Sequence, residues 1–407
     1  MRSLRHGSLA FLVVALLSAC STTEEQVRDQ IETMAANDIG SQGWVDGVDE
    51  LVALGRPGAR QLVLLLDPAQ YRGPRYREFR SERERARTGA ATVLGRIRHR
   101  AASASMDDRI TIAYTYPERH AALRAVGDLG FTQIAVTNVT KQLADSNETI
   151  RLLAAVALLK LGEATAVDTI RAAIASDREA EAQSAIEELR YANHFGVGLL
   201  VELRDENPQR KERLDRALDV VRKQLEMQLA DDDPEVRRES AKALGDIGHN
   251  GAREPLAALI DDASNLVRYA AATSLARLRD PRGVEFLFTG LDDEDPIQRL
   301  NAVRSLIDVE RKSGGIAARL LSSLDASDPR LRSAAAQILG QASVDDAVPA
   351  LIEATTDNDA QVRWSAVISL GRLGTAESRQ ALQALLDDDD DTVAYYAQWA
   401  LDHLGAG

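Results

Sequence analysis

Asp233-Pro234-Glu235-Val236-Arg237-Arg238-Glu239-Ser240-Ala241-Lys242-Ala243-Leu244-Gly245-Asp246-Ile247-Gly248 is a short segment that the 407-residue chain repeats. An apolar residue followed by Arg recurs as Val236-Arg237, Val267-Arg268, Leu331-Arg332 and Val362-Arg363, and Arg299 falls in the same register. The steps between successive Arg are 31, 31, 33 and 31 residues. After each Arg come a small or apolar residue at the fourth position and apolar residues near the seventh and tenth, often with Gly at the eleventh: Ala241, Leu244, Ile247 and Gly248 follow Arg237, and Val367, Leu370, Leu373 and Gly374 follow Arg363. That spacing belongs to a helix with one apolar face. A fixed period of this length predicts an all-α protein, an α-solenoid in which each unit buries its apolar face against its neighbours.

Earlier units follow the same template. Arg151 precedes Ala155, Leu158, Leu161 and Gly162, Arg119 precedes Leu123, Val126, Leu129 and Gly130, and Trp44 precedes Val48, Leu51, Leu54 and Gly55. A second helix follows each first one, as at Pro255-Leu256, Pro349 to Ile352 and Ala59 to Leu66, so each unit reads as a two-helix hairpin. Gly at the end of the first helix suits a left-handed cap, and Asp-Pro at its start suits an N-cap followed by the first helical residue. The expected organisation is an N-terminal arm over 44–200 with a basic insertion at 68–80, an irregular connector and long helix over 201–230, and a C-terminal arm over 231–407.

The N-terminus carries a different signal. Arg2 and Arg5 precede an apolar run from Leu9 to Leu17 that ends in Leu17-Ser18-Ala19-Cys20. The run is too short for an ordinary transmembrane helix. Leu-Ser-Ala-Cys resembles the lipobox of a bacterial lipoprotein, which implies that residues 1–19 are a signal peptide, that Cys20 is lipidated, and that 20–43 form an anchor and N-terminal helix. By the same resemblance, Ser21 implies delivery to the outer membrane of a Gram-negative cell, facing the periplasm. Several acyl chains would hold the protein there stably, where one alone is marginal.

The net charge of −14 is that of an acidic protein and counts against nucleic acid, which asks for a basic domain or stripe. Cys20 is the single cysteine, so its lipidation leaves no thiol for a disulfide or a thiolate metal site. Aromatic residues make up 4%, which suits closely packed helices better than a β-sandwich.

The repeated segment resembles the HEAT-like repeats first associated with phycobilisome lyase subunits, most clearly from Asp231 to Gly407. Relatives of that kind include lyases, an iron-dependent hydroxylase and many adaptors, so the resemblance speaks to fold more than to activity. The hydroxylase design implies paired His-Glu steps, and none of His6, His99, His120, His194, His249 and His403 is followed by Glu. No nucleophile motif, phosphate loop or zinc spacing appears either. The expectation is a non-enzymatic protein-binding scaffold or assembly factor without cofactor or metal; the alternative is an enzyme subunit of the lyase or hydroxylase kind.

Four features compete for functional roles. The repeated Arg237, Arg268, Arg299, Arg332 and Arg363 lie near the buried stripe and must be paired, and Asp233, Asp295, Asp328 and Asp359 stand four residues before four of them. A structural ladder of caps and ion pairs joining successive units competes with a ligand-binding Arg row. The acidic clusters at Asp231 to Asp233, Asp261-Asp262, Asp292 to Asp295 and Asp387 to Asp391 fall in the turns, where capping competes with cation binding. Arg72, Arg75, Arg77, Arg80 and Arg83 form a basic patch interleaved with Tyr71, Tyr76 and Phe79, suited either to anionic lipid or lipopolysaccharide phosphates or to the chain's own acidic edge. Finally, Tyr269, Leu300, Trp364 and Tyr395 follow the marker position in four units, with Ser333 breaking the row. They point about 145° away from the apolar stripe, so they serve either as sideways packing between first helices or as a partner surface rich in binding hot-spot residues.

Overall fold

A computed structural model describes residues 22–67, 80–111, 115–129, 133–192 and 194–405. Cys20 and the basic residues Arg72, Arg75 and Arg77 lie outside the described residues. The described residues form 23 α-helices with no strand, and the chain divides into two compact units, Met1–Leu218 and Asp219–Gly407. Each unit is an α-solenoid of stacked helical hairpins.

The first unit opens with α1 (Thr22–Ala36), α2 (Gln42–Leu54) and α3 (Ala59–Leu66), continues with α4 (Arg80–Arg96), α5 (Ser103–Thr111), α6 (Tyr116–Leu129) and α7 (Gln133–Gln142), and closes with α8 (Glu148–Lys160), α9 (Thr165–Ala175), α10 (Glu179–Arg190) and α11 (His194–Glu206). Helix α12 (Lys211–Gln228) contains the division between the units. Residues 201–230, expected to hold an irregular connector and a long helix, comprise the end of α11, one 3-10 turn at Pro208–Arg210, α12 and the turn after it. Trp44, Val48 and Leu51 are buried on α2, and the Trp44 indole donates to the Arg85 carbonyl at 3.1 Å.

In the second unit the first helices of the hairpins are α13 (Pro234–Ile247), α15 (Asn265–Arg277), α17 (Pro296–Ser313), α19 (Pro329–Gln341), α21 (Ala360–Leu373) and α23 (Asp391–Gly405). The second helices are α14 (Arg253–Ala257), α16 (Pro281–Gly290), α18 (Ala317–Ser323), α20 (Val348–Ala354) and α22 (Ser378–Ala384). The seventh residue after each marker, Leu244, Leu275, Leu306, Leu339 and Leu370, is fully buried, as are Leu256, Leu287, Leu320, Leu351 and Leu382 on the second helices. Truncating any one of these to Ala would cost about 2–5 kcal/mol through lost burial and an unfilled cavity.

The helix ends follow from side-chain chemistry. Asp233, Asp295, Asp328 and Asp359 each accept from the amide two residues on, at 2.8–2.9 Å, and Pro follows three of them at the first helical position. At the far ends Gly248 and Gly374 are left-handed, with φ of 73° and 72°. In the equivalent position of other units Arg98, Arg279 and Ser343 adopt φ of 49°, 58° and 59°. The stack demands the left-handed turn even where no glycine supplies it.

Neighbouring first helices also meet through a seam of small residues. A Cβ placed on Gly245 would lie 2.9 Å from Ser274 Cα, and one on Gly340 would lie 2.6 Å from Ser369 Cα, so only glycine allows these approaches. The close approach lets Ser274 Oγ donate to the Ala241 carbonyl and Ser369 Oγ to the Ala336 carbonyl, each at 2.8 Å. The residue eight after the marker, Gly in these units, is Ala276 on α15 and Ile307 on α17. The seam is therefore interrupted on both sides of α17.

Candidate interaction surface

The repeated Arg residues build a clasp across the turns of the second unit. Arg332 donates through Nε and an Nη to both carboxylate oxygens of Asp357, at 2.7 and 2.9 Å, while its other Nη reaches the carbonyls of Ala326 and Ser327. Arg237 does the same to Asp262 and Arg363 to Asp388. In each case the partner lies 25 residues on, in the next repeat's turn. The Asp four residues before the Arg is the helix cap, not its salt-bridge partner: its carboxylate is occupied by the first-turn amides, whereas the guanidinium extends along the stack. Arg268 and Arg299 keep only the short-range half of the clasp. Arg268 donates to the Asp262 carbonyl and the Asn265 side chain, and Arg299 to the carbonyls of Asp293 and Glu294.

The clasp carboxylates are electrostatically marked. The hydrogen bonds from Arg237, Arg332 and Arg363 hold the carboxyls of Asp262, Asp357 and Asp388 below the ordinary 3.8. Each also accepts from the amide two residues on, closing the turn ahead of the next helix. Reasoning from the sequence missed these Asp contacts. The signal lay six residues before the next marker, where Asp231, Asp262, Asp293, Asp357 and Asp388 recur.

The row after the marker divides between interior and surface. Tyr269 is 7% exposed and stands edge-on to Phe286 at 5.3 Å between ring centres. Ser333 is buried and shares a hydrogen bond with Ser365. Trp364 is half-buried, its ring centre 5.9 Å from Tyr396, and its buried indole nitrogen has no hydrogen-bond partner among the described residues. Leu300 and Tyr395 are exposed, at 44% and 67%. Tyr396 also stacks near Tyr395 and Trp399, completing an aromatic cluster at the last first helix. Two exposed apolar residues complete the surface of the neighbouring repeats: Leu266 and Ile297, each two residues before a marker.

In the first unit, Arg83, Arg85 and Arg87 of the basic run turn inward. Arg83 is buried, Arg85 donates to the Ala35 carbonyl, and buried Arg87 pairs with buried Glu118, which also faces Arg109 at 3.7 Å. Arg80 opens α4. Arg124 reaches from α6 to Glu188 on α10 and lies 3.9 Å over the Tyr191 ring. Burial, reinforced by Arg124, pulls His120 down to about 4, so it is neutral at neutral pH. No three His, Cys, Asp or Glu side chains converge as a metal site among the described residues, and no described helix is long and apolar enough to cross a membrane.

Comparison with known proteins bears on this architecture. A family model described as HEAT repeats matches residues 218–307 and 317–402, and the chain is a HEAT-like repeat protein. No curated protein matches the sequence. Among solved structures it is similar to human deoxyhypusine hydroxylase in complex with glycerol, at 19% identity over 77% of this chain and 99% of that one, with a TM-score of 0.26. It is also similar to an engineered protein, at 18% identity over 97% and 98% of the two chains with a TM-score of 0.31, and to a chain of a Kap95:Nup1 complex, at 13% over 95% and 56% with a TM-score of 0.35.

Proposed function

We propose that this protein is a lipid-anchored, non-enzymatic scaffold of the bacterial cell envelope that holds a protein partner against its repeat surface. The observation that carries the reading is the exposure of large apolar side chains in repeat register on a framework whose repeated Arg and Asp serve mainly as caps and clasps. Ile297 and Tyr395, at 64% and 67% exposed, contribute nothing to the core. Aromatic and large apolar groups held out by a rigid helix form a binding surface at small entropic cost.

Anchoring rests on Leu17-Ser18-Ala19-Cys20 following a charged and then apolar start. Acyl chains on Cys20 would place the repeats at a membrane surface, on the outer membrane facing the periplasm as Ser21 suggests. Membrane fractionation of cells carrying the wild type or Cys20→Ala tests this. The wild type partitions with membranes and the variant is released or stays unprocessed; equal retention of both removes the anchor. Stoichiometric iron in protein purified without chelators would contradict the non-enzymatic reading.

A further inference from the structure

The two devices that lock successive repeats together fail at the same place. Around α17 the glycine seam is replaced by Ala276 and Ile307, and the clasp is incomplete on both sides. Arg268 turns to Asn265 instead of the Asp293 carboxylate 25 residues on, and the residue 25 after Arg299 is Leu324. Asp293 stands where Asp262, Asp357 and Asp388 each receive a guanidinium, yet among the described residues its carboxylate accepts only from the Asp295 amide.

The same repeats expose the apolar residues. Leu266 and Ile297 occupy the position held in the other units by Glu235, Arg330, Gln361 and Thr392, and are 51% and 64% exposed. They are equivalent positions on packed first helices, so they stand about 10 Å apart. Leu300, one turn after Ile297, extends the face along α17. In the turn that leads into Ile297, Asp292, Asp293 and Glu294 line an open depression together with Thr289. Arg330 opposes Asp292 at 3.1 Å, while Asp293 and Glu294 meet no cation among the described residues. Arg304 marks the far end of the face, one turn beyond Leu300.

We propose that Leu266, Ile297 and Leu300, with the acidic depression at Asp293 and Glu294, dock a cationic amphipathic segment of a partner protein. This rests on the scaffold reading above and gives its partner a chemistry. Large apolar side chains of the segment cover Leu266, Ile297 and Leu300, and a Lys or Arg enters the depression to supply the charge that Arg268 withholds from Asp293. Charge complementarity selects the occupant: an acidic segment would add to uncompensated carboxylates, and an anionic membrane would be repelled by them.

A fluorescent Leu–Lys amphipathic helix of about 18 residues serves as probe for the full-length protein, with a Leu–Glu helix of equal length as its counterpart. The Ile297→Ser/Leu300→Ser and Asp293→Asn/Glu294→Gln double variants should each bind the Leu–Lys helix about tenfold more weakly. Asp387→Asn/Asp389→Asn, in the acidic turn before α23, should leave binding within about twofold, and the Leu–Glu helix should not bind. Asn at 293 keeps the turn acceptor, and unchanged unfolding midpoints confirm folded variants. Equal binding by every variant, equal loss in the α23-turn control, or binding of the Leu–Glu helix would overturn the proposal. A cell-wide failure to find any protein partner would count against the scaffold reading instead, independently of which variants lose the probe.

Discussion

Asp262, Asp357 and Asp388 each do two jobs, closing a turn through the amide two residues on and receiving the previous repeat's Arg. Arg363 and Asp388 are 16% and 7% exposed, so their bidentate pair is largely shielded from water and salt. Arg363→Ala should cost about 2 kcal/mol, and Arg299→Ala, which loses only carbonyl contacts, about 1 kcal/mol. Chemical denaturation of the two variants makes the comparison; equal losses would show that the carboxylate contributes nothing. Because Arg363 depresses the Asp388 carboxyl below 3.8, the stabilisation is present above that pH and is lost as pH falls through the lower folded value. The cost of Arg363→Ala should therefore shrink below about pH 4. Ser343 offers a test of opposite sign. Its φ of 59° suits glycine, so Ser343→Gly should raise stability by up to about 1 kcal/mol, whereas a loss would show that its hydroxyl outweighs the strain.

Among the elements, α17 stands apart from the other first helices of its unit. With neither glycine seam nor complete clasp on either side, its opening should cost less free energy than that of α19 or α21. Native-state hydrogen exchange reads this directly: amides of the first two turns of α17 should exchange faster than their counterparts in α19 and α21, and equal protection would show that apolar packing alone holds the stack. The helices themselves were legible in the sequence because the marker, the buried Leu seven residues on and the terminal Gly are local signals. A ladder of ion pairs between units was legible too, but its carboxylate partners and the seam were not, because those partners lie in the following repeat and periodicity within one helix cannot indicate which neighbour a side chain reaches. The aromatic row shows the same limit. Tyr269 and Tyr395 share a register, yet Phe286 covers Tyr269 while Tyr395 remains exposed.

Over the whole molecule, repetition spreads stability across nearest-neighbour interfaces and leaves individual surface positions free to diverge. Structural work accounts for most of the conspicuous charge: the carboxylates cap helices and receive Arg, and Arg83, Arg85 and Arg87 turn inward. Exposed apolar groups remain the features that folding does not explain, and a partner would. Cross-linking in intact cells followed by mass spectrometry tests that claim most directly. The account predicts that the wild type yields a discrete cross-linked protein in the membrane fraction, joined through residues on α15, α17 or α23. Cross-links confined to its own chain, at expression levels where known envelope complexes are captured, would contradict it.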